Sequence, residues 1–183
     1  ALMGGGAPAA ADLIRVDPDG RVTVVATDLH FPNGSVITPD GSTLIVGETT
    51  GNRYTAFTIG PDGSLLARRP WATFAPVPTA GSFAEQLGQL VVSPDGCSLD
   101  AEGHIWAADA LGNRVLRVAP GGEVVEEIAG PDGLGIYACQ LGGESGTTLL
   151  LCCAPDFFEH NRATAREARL APVEVDVPHA GLP

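Results

Sequence analysis

Two short segments place oxygen-bearing side chains at matching positions: Phe31-Pro32-Asn33-Gly34 and Ser93-Pro94-Asp95-Gly96. Asn33 offers an amide oxygen and Asp95 a carboxylate. Such a hard-oxygen pair suits Ca²⁺, Mg²⁺ or Mn²⁺ better than an ion that prefers thiolate or imidazole. His30, His104, His160 and His179 are dispersed along the chain and form no competing cluster. The alternative is that Pro-Asn-Gly and Pro-Asp-Gly are plain turns, because Asn and Asp readily bond their own backbone. Their place in the chain argues against this. Asp19-Gly20, Asp40-Gly41, Asp62-Gly63 and Glu102-Gly103 follow apolar runs, as hairpin turns do, whereas Asn33 and Asp95 precede such runs.

Other chemistries have weaker support. There is no Gly-x-Ser-x-Gly elbow for a serine nucleophile. Cys97 lies two residues beyond Asp95, but in an apolar run cysteine is first a small buried hydrophobe. The four cysteines match no CxxC spacing, and Cys152-Cys153 are vicinal, so reduced thiols in a cytoplasmic protein are expected. The net charge is −12, from 22 acidic and 10 basic residues, with no dense basic cluster to displace counterions, which argues against a nucleic-acid partner. No apolar run nears the roughly 20 residues of a membrane helix, so no membrane partner is expected. The N-terminal Ala-Leu-Met-Gly-Gly-Gly-Ala-Pro lacks the layout of a signal peptide.

The elements that must position Asn33 and Asp95 emerge from an internal repeat. After each Pro-Asn/Asp-Gly comes an apolar run, then Asp40-Gly41 or Glu102-Gly103, a second run, and then Gly51-Asn52-Arg53 or Gly112-Asn113-Arg114. The spacing predicts strands near 34–38, 43–48, 53–59 and 64–71, and again near 96–100, 104–108, 114–118 and 123–128. Four antiparallel strands make one propeller blade. Partial units flank these, with strands near 12–16 and 21–26 before them and near 137–141, 147–153 and 170–175 after.

The expected fold is therefore all-β: a β-propeller of which this chain covers three to four blades. Its divisions are 1–28 (outer strands of a blade), 29–75 (a blade), 76–130 (a blade with an insertion) and 131–183 (a final incomplete blade). Propellers close with about four to eight blades, so the chain is expected to be part of a longer protein. Short helices interrupt the pattern at 82–90, which has a capping-type start, and at 156–168, with Asp156 as N-cap. The first is either a lid over the channel mouth or a plain surface loop.

Phe31-Pro32-Asn33-Gly34 with Pro39-Asp40-Gly41, Pro94-Asp95-Gly96 with Leu99-Asp100-Ala101-Glu102-Gly103-His104-Ile105-Trp106, and Arg114-Val115-Leu116-Arg117 together resemble the family of senescence marker protein (regucalcin), gluconolactonase and luciferin-regenerating enzyme. The resemblance covers nearly the whole chain. It implies a six-bladed propeller with one divalent ion on its axis, held by a Glu, an Asn and an Asp. Asn33 would be the Asn ligand and Asp95 the Asp ligand; no residue here matches the Glu. The implied activity is metal-dependent hydrolysis of a small, sugar-type lactone, with Asp95 also taking a proton from the attacking water. Calcium is the first choice of ion, with Mg²⁺, Mn²⁺ or Zn²⁺ as alternatives. The rival reading is a non-catalytic propeller serving as a ligand-binding or protein-interaction scaffold, since fold alone does not set function.

Overall fold

The computed structural model describes residues 9–79 and 81–181. Its strands form four antiparallel sheets in which each strand pairs with its neighbour in sequence. The first sheet holds β1 (Ala11–Val16) and β2 (Val22–Leu29). The second holds β3 (Pro32–Ile37), β4 (Thr43–Glu48), β5 (Arg53–Ile59) and β6 (Leu65–Thr73). The third holds β7 (Pro94–Leu99), β8 (Ile105–Asp109), β9 (Arg114–Val118) and β10 (Val124–Ala129). The fourth holds β11 (Gly135–Gly142), β12 (Thr148–Ala154) and β13 (Arg169–Glu174). These are the blade-like units the repeat predicts, and most expected strands fall within a residue or two of those observed. Local side chains close the hairpins. Asp40, for example, accepts hydrogen bonds from the Thr38 hydroxyl and the Ser42 N–H at the β3–β4 turn.

The core lies between sheets. Because side chains alternate across a strand, β8 packs Ile105 and Ala107 with Ile45, Tyr54 and Ala56 of the second sheet. Trp106 and Ala108 pack with Ile136, Leu149 and Leu151 of the fourth. A strand covered on both faces reads as a continuous apolar run, and all five residues of β8 are buried. Leu29, Val46 and Phe57 join the first sheet to the second in the same way.

The edge strands β3, β7 and β11 lie side by side, which makes them the innermost strands of three successive blades. Their close approach explains the glycine of each Pro-Asn/Asp-Gly. A methyl group on Gly34 would overlap the Asp95 carbonyl oxygen, and one on Gly96 would come within 2.6 Å of the Ala138 Cβ.

Helix α1 (Phe83–Leu87) starts at Ser82 with a capping box: Ser82 Oγ accepts from the Glu85 N–H, and the Glu85 carboxylate accepts from the Ser82 N–H. The second expected helix needs correction. Only α2 (Glu159–Arg162) forms within 156–168, and it buries none of its residues. Asp156 is not its N-cap, for its carboxylate accepts from the Phe158 N–H and the Asn161 amide in a local turn. A polar segment with no face to bury lacks the tertiary packing that sustains most helices.

Candidate active site

Each inner strand carries one extra residue at the same place. In β3 the register runs from Pro32–Glu48 to Ser35–Val46, in β7 from Pro94–Asp109 to Cys97–Ala107, and in β11 from Ile136–Cys153 to Ala138–Cys152. Such bulges bend a strand and re-aim a side chain. Asn33, Asp95 and Tyr137 occupy the three bulged stretches, and all three line one cavity of 450 Å³. Asn33 and Asp95 are thus the second residues of β3 and β7, not the residues ahead of them as the turn-like sequence suggested. The bulge lets a strand residue leave the regular alternation and face the cavity. Phe83 and Leu87 of α1 line the same cavity, as do Thr49, Phe31, Phe157 and Phe158.

Thr49 ties the two candidate ligands together. Its hydroxyl donates to the Pro94 carbonyl at 2.6 Å and accepts from the Asn33 amide nitrogen at 3.2 Å. With its N–H engaged there, Asn33 has its amide oxygen to offer. Burial raises the Asp95 pKa above the usual carboxylate range; hydrogen bonds from Asn33 and the Gly96 N–H favour the charged form and offset part of this.

A buried carboxylate braces the lead-in to each candidate ligand. Glu48 accepts from the His30 N–H at 2.7 Å, from the Thr55 hydroxyl and from Arg53 at 2.8 and 2.9 Å. One blade on, Asp109 accepts from the Ser93 N–H at 2.9 Å and from Arg114 at 2.9 Å. His30 and Ser93 stand three and two residues before Asn33 and Asp95. Burial alone would push the Glu48 pKa up, but Arg53, the His30 N–H and Thr55 outweigh it and hold the carboxyl below its usual 4.5.

Sequence reasoning missed Tyr137, because Gly135-Ile136-Tyr137-Ala138 lacks the Pro-x-Gly signature of the other two bulges. It also missed the brace, although Glu48…Arg53 and Asp109…Arg114 share one spacing in the sequence. Cys97 is no nucleophile in this setting, since burial pushes its thiol up to about 12. All four cysteines are free. Among the described residues, no three His, Cys, Asp or Glu side chains gather into a metal site, so Asn33 and Asp95 stand as a two-residue oxygen pair.

Residues 2–154 match the family described as SMP-30/Gluconolactonase/LRE-like region. The chain belongs to that family. Within the SMP-30/gluconolactonase family, the chain is 30% identical over 169 residues to 6-deoxy-6-sulfogluconolactonase of Pseudomonas putida, covering 92% of this chain and 50% of that protein. It is 28% identical over 141 residues to gluconolactonase of Zymomonas mobilis, covering 76% of this chain and 37% of that protein. The structure of regucalcin from Agrobacterium tumefaciens, described as a calcium-binding protein, superposes with a TM-score of 0.68 at 20% identity. That match covers 92% of this chain and 53% of regucalcin, and it carries the propeller fold. The chain spans half or less of the length of these two enzymes. No helix among the described residues is long and apolar enough to cross a membrane.

Proposed function

We propose that the protein is a lactone hydrolase in which Asn33 and Asp95 hold a divalent ion and Asp95 accepts a proton from the attacking water. One observation carries this reading: equivalent bulges of two successive blades deliver an amide and a carboxylate to a single cavity, in a chain of a family whose named relatives include lactonases.

The donor set fits a hard ion. Asn33 spends its N–H on Thr49 and keeps its oxygen, and Asp95 adds a carboxylate. Calcium is the first choice, as regucalcin is described as calcium-binding; Mg²⁺, Mn²⁺ and Zn²⁺ are the alternatives. When bound, the ion supplies Lewis-acid polarisation of the lactone carbonyl and lowers the pKa of water. The remaining steps use the chain's own groups. As the water oxygen bonds to the carbonyl carbon, its proton passes to Asp95. The ring C–O bond then breaks, and the protonated Asp95 returns the proton to the leaving alkoxide, giving a hydroxy acid. The free cysteines suit a reducing, cytoplasmic setting.

The test is ring opening of D-glucono-1,5-lactone, followed by pH-stat before and after chelation, with calcium added back. Loss on chelation and recovery with calcium support the reading, and unchanged hydrolysis contradicts it. In parallel, Asn33→Ala should weaken calcium binding by about tenfold or more in calorimetry.

A further inference from the structure

The cavity lining is mixed in character. Thr49 bonds Asn33 and the Pro94 carbonyl that precedes Asp95, and Phe31, Phe83, Leu87, Tyr137, Phe157 and Phe158 line the same cavity. These six come from four separate segments: the lead-in to β3, helix α1, strand β11 and the turn before α2. The rings also pack on one another. Tyr137 meets Phe157 edge-on at 5.9 Å between centroids, and Phe157 meets Phe158 at 4.7 Å. Phe31 holds a left-handed backbone at φ 56°, unfavourable for a bulky residue and even more restricted ahead of Pro32. Strain of this kind persists where the surroundings enforce it, and it collects at ligand clamps.

Among the described residues that line the cavity there is no Lys, Arg or His. An anionic substituent would meet no counter-charge on these walls. A ring bearing several hydroxyls would find polar partners here only at Asn33, Thr49, Thr50, Asp95 and the Tyr137 hydroxyl, and each hydroxyl turned to the remaining apolar lining would be left unpaired at a cost. An aryl or alkyl substituent would displace water and gain aromatic contacts.

We infer that the cavity selects a lactone carrying an aryl or alkyl substituent over a polyhydroxylated sugar lactone, with the ring carbonyl at Asn33 and Asp95 and the substituent against Tyr137, Phe157 and Phe158. The inference rests on the lactone-hydrolase reading and narrows its substrate class.

The test compares kcat/KM for δ-phenyl-δ-valerolactone and D-glucono-1,5-lactone, which share a six-membered ring. The phenyl lactone should be favoured by about tenfold or more. In the double variant Phe157→Ala/Phe158→Ala that ratio should fall about tenfold, chiefly through KM. Both side chains are partly exposed, at 36% and 49%, so the variant should keep its fold, as its thermal melt will report. Preference for the sugar lactone, or an unchanged ratio in the variant, overturns the inference while the hydrolase reading stands. If neither lactone opens, that reading fails instead. Calorimetry with the lactam 6-phenylpiperidin-2-one then decides the inference on its own: binding that is lost in the double variant supports it, and no binding overturns it.

Discussion

Thr49 is the smallest part on which the site depends. Its one hydroxyl joins two blades, donating to the Pro94 carbonyl and accepting from Asn33. Thr49→Val keeps the shape and removes both bonds. It should lower stability by about 1 kcal/mol and kcat/KM by about tenfold, whereas Thr49→Ser should retain most of both; parallel melts and kinetics check this. The equivalent placement of Asn33 and Asp95 was legible in the sequence because repetition put them in register and set them apart from the hairpin Asp-Gly turns. Thr49 was not, since its role depends on Pro94, 45 residues away. Tyr137 was hidden for another reason: a bulge depends on pairing with the neighbouring strand, and β11 has no Pro-x-Gly to mark one.

At the scale of elements, the insertion at 76–92 is fastened to the blade by one fully buried residue. Asn52 donates to the Pro76 carbonyl at 3.1 Å and accepts from the Val91 and Val92 N–H groups at 2.7 and 3.3 Å, so it grips both ends of the segment that carries α1. Asn52→Ala should cost about 1–3 kcal/mol through the polar groups left unpaired and should speed proteolytic cutting within 76–92. A variant that resists protease as well as the parent would contradict this anchoring role. The Glu48 brace makes a prediction in pH. Its folded pKa lies below the usual 4.5, so its stabilising contribution is complete above that value and is lost as pH falls through the folded pKa. Glu48→Gln should lower the melting temperature at neutral pH and flatten its decline below about pH 4.5. The strands were readable because hairpin turns and alternation are local signals. Helix α2 was overestimated because the Glu, Arg and Ala of 156–168 have good propensity but no face to bury.

For the molecule as a whole, the two-stranded first sheet leaves apolar side chains exposed. Ile14 pairs with Val24 and Val16 with Val22, so four apolar side chains share one face of β1 and β2, each more than half exposed. An apolar sheet face beside an edge that has no partner strand among the described residues invites pairing. The 183-residue chain should self-associate in light scattering, and Val22→Lys with Val24→Lys should reduce it. A chain that is monomeric at high micromolar concentration would contradict this. The arrangement of blades about β3, β7 and β11 followed from the repeat, but that same arrangement turns a two-residue motif into a candidate site only when the inner strands converge. The most direct measurement of the central claim is therefore kcat/KM for lactone opening by Asp95→Asn against the parent protein, with calcium present. The expected result is a loss of at least about a hundredfold, as for removal of a positioned base, with the melting temperature nearly unchanged. Hydrolysis by Asp95→Asn at the parent rate would contradict it.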